Sequence, residues 1–463
     1  MNRRDFMRMT GLGMMAAGMP FVVRAADETN AQKRVTAKDS RPNIVFVLGD
    51  DMGIDYGIGC YGSDRKGLTP NLDKLAAEGL RFERCFANAI CGPTRCQLMT
   101  GRYPFRTGGW NNEKGSESVL PQNEYPMARI LSEAGYDTCS VGKWRQMVET
   151  PREWGFGEYI MSPTAGGYYW TKQYKKNGQD IQVDKEVFFP DVCQDYALEF
   201  IRKHGTGGTA AGKPFFLYYP THLMHSNLKP TPDMKRGGKI EKENLIYLDK
   251  QIGALVAELD RLNLRDNTLI IFAGDNGTAA GLGANATING RKISGIKHTM
   301  LEGGALVPCI LNWKGGAPGG RLVRDLVDFS DFLPTFAELA DAKLPQAMTY
   351  DGRSFVPLLR GEKGNPREWI FVGCDNKWYV REDQWKLNRS GELFDMQDAP
   401  FTEQLVPANA ENENAKAARK RLQAVLDKLN PSAYAARKKS AAAPSKGKGD
   451  AKEKGPAKEQ GNE

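Results

Sequence analysis

The chain has 463 residues, 40% of them hydrophobic and 26% charged, with a formal net charge of +8. That is enough apolar material for a large core, and the length leaves room for two or three domains. The excess charge sits at the ends, four Arg against one Asp in residues 1–25 and eight Lys/Arg against four Asp/Glu in residues 437–463; the near-neutral body between them carries no footprint for nucleic acid.

The opening, MNRRDFMRMTGLGMMAAGMPFVVRAADE, has a basic head, a short apolar stretch and a Val-x-Ala site ending at Ala25. Residues 1–25 read as an export signal, too short to serve as a membrane span. Arg3-Arg4 followed by Phe6 resembles a signal for the twin-arginine export machinery, which carries folded proteins. A periplasmic or secreted protein without stable membrane insertion is therefore expected. Residues 26–40 read as a linker. Asn43–Leu48 (NIVFVL) is a short apolar run rich in β-branched residues, predicting a buried strand that stops at Gly49-Asp50-Asp51. Thr69-Pro70 predicts a helix through Leu80, with Pro at its first position and Gly79 near its end. Phe215–Tyr219 predicts another buried strand. Leu245, Leu248, Ile252, Leu255, Leu259 and Leu262 recur at helical spacing, predicting an amphipathic helix over 244–262. It leads into Thr268–Ala273 (TLIIFA), a strand ending in Gly274-Asp275-Asn276-Gly277. Alternating strands and helices predict an α/β sheet with helices on both faces, whose ligands sit beyond the carboxyl ends of the strands.

Past about residue 345 the pattern shifts to short strands with turns between them, around 369–372, 377–380 and 385–388. A smaller antiparallel sheet closed by a helix over about 411–429 is expected there. The tail KKSAAAPSKGKGDAKEKGPAKEQGNE has no aromatic residue and reads as disordered. The domain reading is thus 41–345 catalytic, 346–430 a C-terminal subdomain and 431–463 a basic tail. Eight cysteines are scattered with no CxxC pair, so neither a zinc site nor a disulfide pairing follows.

The chemistry concentrates in a few strings. CGPTRCQLMTGR, Cys91 to Arg102, puts a cysteine at a loop-to-helix junction, where backbone N–H groups attract anions, with Arg95 one turn along. Asp50, Asp51, Asp275 and Asn276 follow two strands. Taken separately each pair also reads as a turn cap; together, three carboxylates and an amide oxygen suit a hard cation, Ca²⁺ or Mg²⁺. The Cys91 string resembles the signature of the type I sulfatases, and the resemblance runs over about residues 41–405, including the later LFDMQDAP string.

That resemblance implies the alkaline-phosphatase-like fold, a large mixed central sheet flanked by helices with a smaller C-terminal sheet. It implies that a formylglycine-generating enzyme oxidises Cys91 to formylglycine (3-oxoalanine). Asp50, Asp51, Asp275 and Asn276, with residue 91, map onto the family's calcium ligands. Arg95, Lys143 (in VGKWR), His225 and Lys297 (in GIKHTMLEGG) map onto its catalytic and sulfate-handling positions, His225 fitting better than His222. The implied reaction is removal of sulfate from an ester: the hydrated aldehyde attacks sulfur, a general acid (His225 or Lys297) protonates the leaving alcohol, and loss of a second hydroxyl proton releases sulfate.

Two positions depart from the family pattern. Arg145 stands where Gly-Lys-Trp-His has its histidine and cannot act as a base, so it reads as a sulfate-binding residue. Leu306 replaces an arginine. Four histidines are too few for a two-zinc site, and Asn276 stands where a second metal prefers histidine. Residues 166–178, GGYYWTKQYKKNG, read either as a lid whose Trp170 stacks on sugar rings or as a surface excursion anchored by its aromatics. A sulfated polysaccharide or oligosaccharide is the expected partner. The competing readings are a formylglycine-dependent phosphonate or phosphate ester hydrolase and a catalytically silent glycan-binding protein.

Overall fold

The computed structural model describes residues 41–112, 114–144, 147–162, 169–282 and 286–433. The expected export signal, the linker and all but the first residues of the tail lie outside them, as does Arg145. Among the described residues no helix is long and apolar enough to cross a membrane.

Eleven strands build the larger sheet: β1 (Asn43–Gly49), β2 (Leu80–Phe86), β3 (Asp137–Gly142), β4 (Glu158–Met161), β5 (Trp170–Lys176), β6 (Gln179–Phe188), β7 (Phe215–Pro220), β8 (Thr268–Gly274), β9 (Leu306–Asn312), β10 (Arg321–Val323) and β11 (Val327–Asp328). Their order is β10-β2-β9-β8-β1-β7-β3-β4-β5-β6, with β11 also on β2. β1 lies between β7 and β8, parallel to both, and all seven of its residues are buried. Burial from both sides explains its unbroken apolar run. Its side chains alternate between two cores. Val45 and Val47 meet Leu245, Leu248 and Ile252 of the Ile240–Arg261 helix. Ile44, Phe46 and Leu48 meet Phe332 and Phe336 of the Phe332–Leu339 helix on the other face. β9, β5 and β6 pair antiparallel, which makes the sheet mixed.

Two local expectations change. The helix opened by Pro70 ends at Glu78, and Leu80 begins β2 instead of closing the helix. A Cβ at Gly79 would lie 2.3 Å from the Leu311 carbonyl oxygen, so the chain crosses β9 too closely there for another turn with a side chain. The 170–176 stretch is not an excursion but strand β5, which forms a hairpin with β6 at the sheet edge. Lys172 is exposed, Lys175 and Lys176 are half-buried, and Lys175 pairs with Asp180 across the hairpin at 2.7 Å.

The smaller sheet runs antiparallel in chain order, β12 (Ile370–Cys374), β13 (Lys377–Arg381), β14 (Trp385–Asn388), β15 (Leu393–Asp395) and β16 (Gln404–Val406). The Glu413–Leu429 helix covers it, capped by Asn412 on the Ala415 amide at 2.9 Å. Phe371 of β12 packs on Tyr103 and Phe105, with ring centroids 5.0 and 5.2 Å apart, which joins the two sheets behind the Cys91 segment.

A buried polar knot reinforces that junction. Arg367 donates to Asp331 at 2.7 and 2.9 Å, to the Tyr103 hydroxyl at 3.1 Å and to Ser330 at 2.9 Å. Tyr103 donates in turn to Asp328 at 2.9 Å. Truncating the arginine leaves two buried carboxylates without their cation. Arg367→Ala is expected to cost about 3–5 kcal/mol, read as a fall in the urea midpoint at unchanged slope.

Candidate active site

The parallel register of β1 and β8 decides where the acidic residues meet. Leu48 is level with Ala273 and Gly49 with Gly274, so Asp50-Asp51 and Asp275-Asn276 leave the sheet side by side at its carboxyl edge. The turn is tight: a Cβ at Gly274 would sit 2.0 Å from the Met52 carbonyl oxygen. Asp51 takes a left-handed conformation (φ 57°), and its backbone N–H donates to Asp275 Oδ1 at 3.0 Å.

Cys91 opens the third element, the Cys91–Thr100 helix, all ten residues of which are buried. Ile90 precedes it in an extended conformation, and Gly101 ends it at φ 65°. Pro93 stands third in the helix rather than first, still within the turn whose N–H groups have no helical partner. The interior polar residues find partners: Gln97 accepts from Asn88 at 2.7 Å, and the Thr100 hydroxyl donates to the Cys96 carbonyl at 2.7 Å. Asn112, from the irregular segment before residue 115, accepts the Gly92 N–H at 2.8 Å and brings its Nδ2 to 3.8 Å from Cys91 Sγ.

Around these lie three cations. Arg95 donates to Asp275 Oδ2 through Nη2 (2.7 Å) and Nε (3.2 Å), and its Nη2 is 3.8 Å from Asp50 Oδ1. Lys143, just past β3, holds Asp50 at 2.5 Å and lies 3.7 Å from Cys91 Sγ. Lys297 reaches Asp51 at 2.6 Å. Three carboxylates are thus balanced by three cations. Burial works to raise the Asp50 carboxyl, but Lys143, His225, Arg95 and Lys297 outweigh it and hold it well below the ordinary range. Burial and the Asp50 charge push Asp275 up to about 6. Burial also raises the Cys91 thiol despite Lys143.

Three buried oxygens in this cluster have no hydrogen-bond partner: Asp50 Oδ1, Asp51 Oδ2 and Asn276 Oδ1. Asn276 spends its amide nitrogen on Asp51 at 3.0 Å and on the Gly277 carbonyl at 2.9 Å, and its oxygen is left buried without a donor. Donor atoms of Asp50, Cys91 and Asp275 lie within 4.8 Å of one another, as do those of Asp50, Asp51 and His225. Oxygen donors gathered this closely, unsatisfied and out of water, fit a hard divalent ion such as calcium.

Of the two histidines weighed in the sequence, His225 is the one grouped with the carboxylates. His222 is buried behind it, with Nε2 3.3 Å from the Ser162 hydroxyl and its ring against Phe189. Trp170 does not join the cluster; its indole N–H donates to the Pro230 carbonyl at 3.1 Å and its ring lies on Phe188, 5.3 Å between centroids. Asn112 and Ser162 went unseen in the sequence. Each sits in irregular chain, where only the folded position distinguishes it from any other polar residue.

A family model described as Sulfatase matches residues 42–342, well over half of the chain. The chain belongs to the sulfatase family. It is 30% identical over 384 residues to N-acetylgalactosamine-6-sulfatase of Canis lupus familiaris, covering 75% of this chain and 71% of that one. It is 32% identical over 361 residues to arylsulfatase A of Homo sapiens, covering 71% and 70%. Among solved structures it resembles Ps i-CgsB in complex with k-i-k-neocarrahexaose, with a TM-score of 0.69 and 27% identity over 84% of this chain and 92% of that one. This sulfatase is accordingly a sulfuric ester hydrolase with the alkaline-phosphatase-like architecture described above.

Proposed function

We propose that this sulfatase removes sulfate from a sulfated polysaccharide or oligosaccharide outside the cytoplasm, with residue 91 converted to formylglycine and a calcium ion held by Asp50, Asp51, Asp275 and Asn276. The observation that carries this reading is the trio of unsatisfied buried oxygens beside Cys91. The saccharide class draws support from a structural relative crystallised with k-i-k-neocarrahexaose and from a relative named for N-acetylgalactosamine 6-sulfate. The export-type opening supports the compartment.

When present, the hydrated aldehyde and the cation supply an oxygen nucleophile of lowered pKa facing the ester sulfur. The rest falls to the chain's own side chains. Arg95, locked between Asp275 and Asp50, keeps the residue 91 helix turned toward the acids. Lys143 and Lys297 present their ammonium groups to the non-bridging sulfate oxygens; burial opposes both charges, yet the neighbouring acids outweigh it and keep both lysines protonated. Asn112 Nδ2 offers one more donor beside residue 91. His225 holds the proton that the departing alcohol oxygen receives. Arg145 is assigned to sulfate binding and Trp170 to the flanking sugar.

The test is sulfate release by protein co-produced with a formylglycine-generating enzyme, across a panel of sulfated oligosaccharides and matched phosphate esters. Phosphate esters turned over in preference to sulfate esters would overturn the reading. The role of His225 has its own signature. His225→Ala is expected to slow release of a sugar alcohol by about 100-fold or more, and release of 4-nitrophenol, which leaves without a proton, far less. Equal slowing on both would remove it as the general acid.

A further inference from the structure

The connection between β7 and the Ile240–Arg261 helix carries a charge pattern that the reaction itself does not use. It leaves β7 at the same carboxyl edge as the acidic cluster, passes His225, and continues through residues 226–239 to the helix. Lys229, Lys235, Arg236 and Lys239 on it are all exposed, and none of them forms an ion pair among the described residues. Of the acidic residues nearby, Asp233 pairs with Lys250 at 2.7 Å and Glu241 with Arg65, while Glu243 lies one turn past Lys239. Four cations thus stand against a single uncommitted carboxylate on one short stretch.

That stretch is also tied down. The Tyr169 hydroxyl donates to the carbonyls of His222 (3.2 Å) and His225 (2.7 Å), and the Trp170 indole donates to that of Pro230 (3.1 Å). Trp170 itself remains 38% exposed, and its bond to Pro230 sets it against the segment next to Lys229. An aromatic surface next to fixed, unpaired cations recognises a sugar ring and its anionic substituents together. We infer that the 226–239 segment is a docking arm for a polysulfated glycan chain, engaging sulfates other than the one being removed. This rests on the saccharide reading above and adds to it that the substrate carries several sulfates.

Binding reads this directly and needs no turnover. The probe is fluorescein-labelled dextran sulfate, titrated against the full chain and, in parallel, against the Cys91→Ala protein, so that failure of the hydrolysis reading leaves this test intact. The combined variant Lys235→Ala, Arg236→Ala, Lys239→Ala is expected to weaken binding about tenfold, with a shallower dependence on salt. A control variant removing three exposed lysines elsewhere (Lys343, Lys363 and Lys428) is expected to bind as the parent does. Hydrogen exchange is expected to slow in residues 226–239 when dextran sulfate is added, which separates this segment from the basic C-terminal tail. Equal weakening by both triple variants, exchange protection confined to other regions, or tighter binding to phosphatidylglycerol vesicles than to dextran sulfate would each overturn the inference.

Discussion

Cys91→Ala is expected to abolish sulfate ester turnover, lowering it by about 10⁴-fold or more, the scale seen when a covalent nucleophile is deleted. The argument is geometric. Residue 91 sits at the start of a buried helix, within 4.8 Å of Asp50 and Asp275 donor atoms and 3.7 Å from Lys143. Cys91 is the cysteine grouped with these carboxylates among the described residues. Cys91→Ser is expected to fail as well, because one hydroxyl cannot do the work of the two on a hydrated aldehyde. Mass spectrometry of the peptide carrying residue 91 checks the premise independently, since the aldehyde is lighter than the thiol. Full activity in Cys91→Ala would end the nucleophile assignment.

Removing the cation should be nearly as damaging. Dialysis against a chelator is expected to take activity to background, and added calcium to restore it. Stability supplies a second readout. A ligand that binds only the folded state at about 100 times its Kd adds about 2.7 kcal/mol, so calcium should raise the unfolding temperature of the parent protein. Asp51→Ala and Asn276→Ala, which delete two of the unsatisfied oxygens, are expected to lose most of that shift. A parent whose unfolding temperature ignores both calcium and magnesium would contradict the site.

The acidic half of this centre was legible because it is local. Two apolar runs each stop at a polar pair, and strands buried on both faces leave such pairs at the sheet edge. Nothing in either run states that Gly49 lies level with Gly274; that register comes from the whole sheet, and it makes two turn-like pairs into one cluster. Arg95 was legible from its place one turn past Cys91, Lys143 through family likeness alone. The 170–176 stretch misled for a physical reason. As the last strand but one, between β4 and β6, it carries Lys172, Gln173, Lys175 and Lys176 with no apolar alternation to announce it, and its pairing is fixed by the sheet. Strands β15 and β16, three residues each, are too short to leave a periodic signal. Asn112 had no signal because its role depends on a helix end twenty residues away.

The burial of the Cys91–Thr100 helix also fixes a sequence in time. Residue 91 is 1% exposed, all ten residues of its helix are buried, and Gln97 on that helix donates to Asp328 of the polar knot at 3.3 Å. An enzyme that has to grip this segment as an extended peptide finds it only before the domain closes. If the chain is then carried across a membrane already folded, its chemical maturation belongs to the cytoplasm it leaves behind, and the protein arrives at its destination with that step finished or forever out of reach.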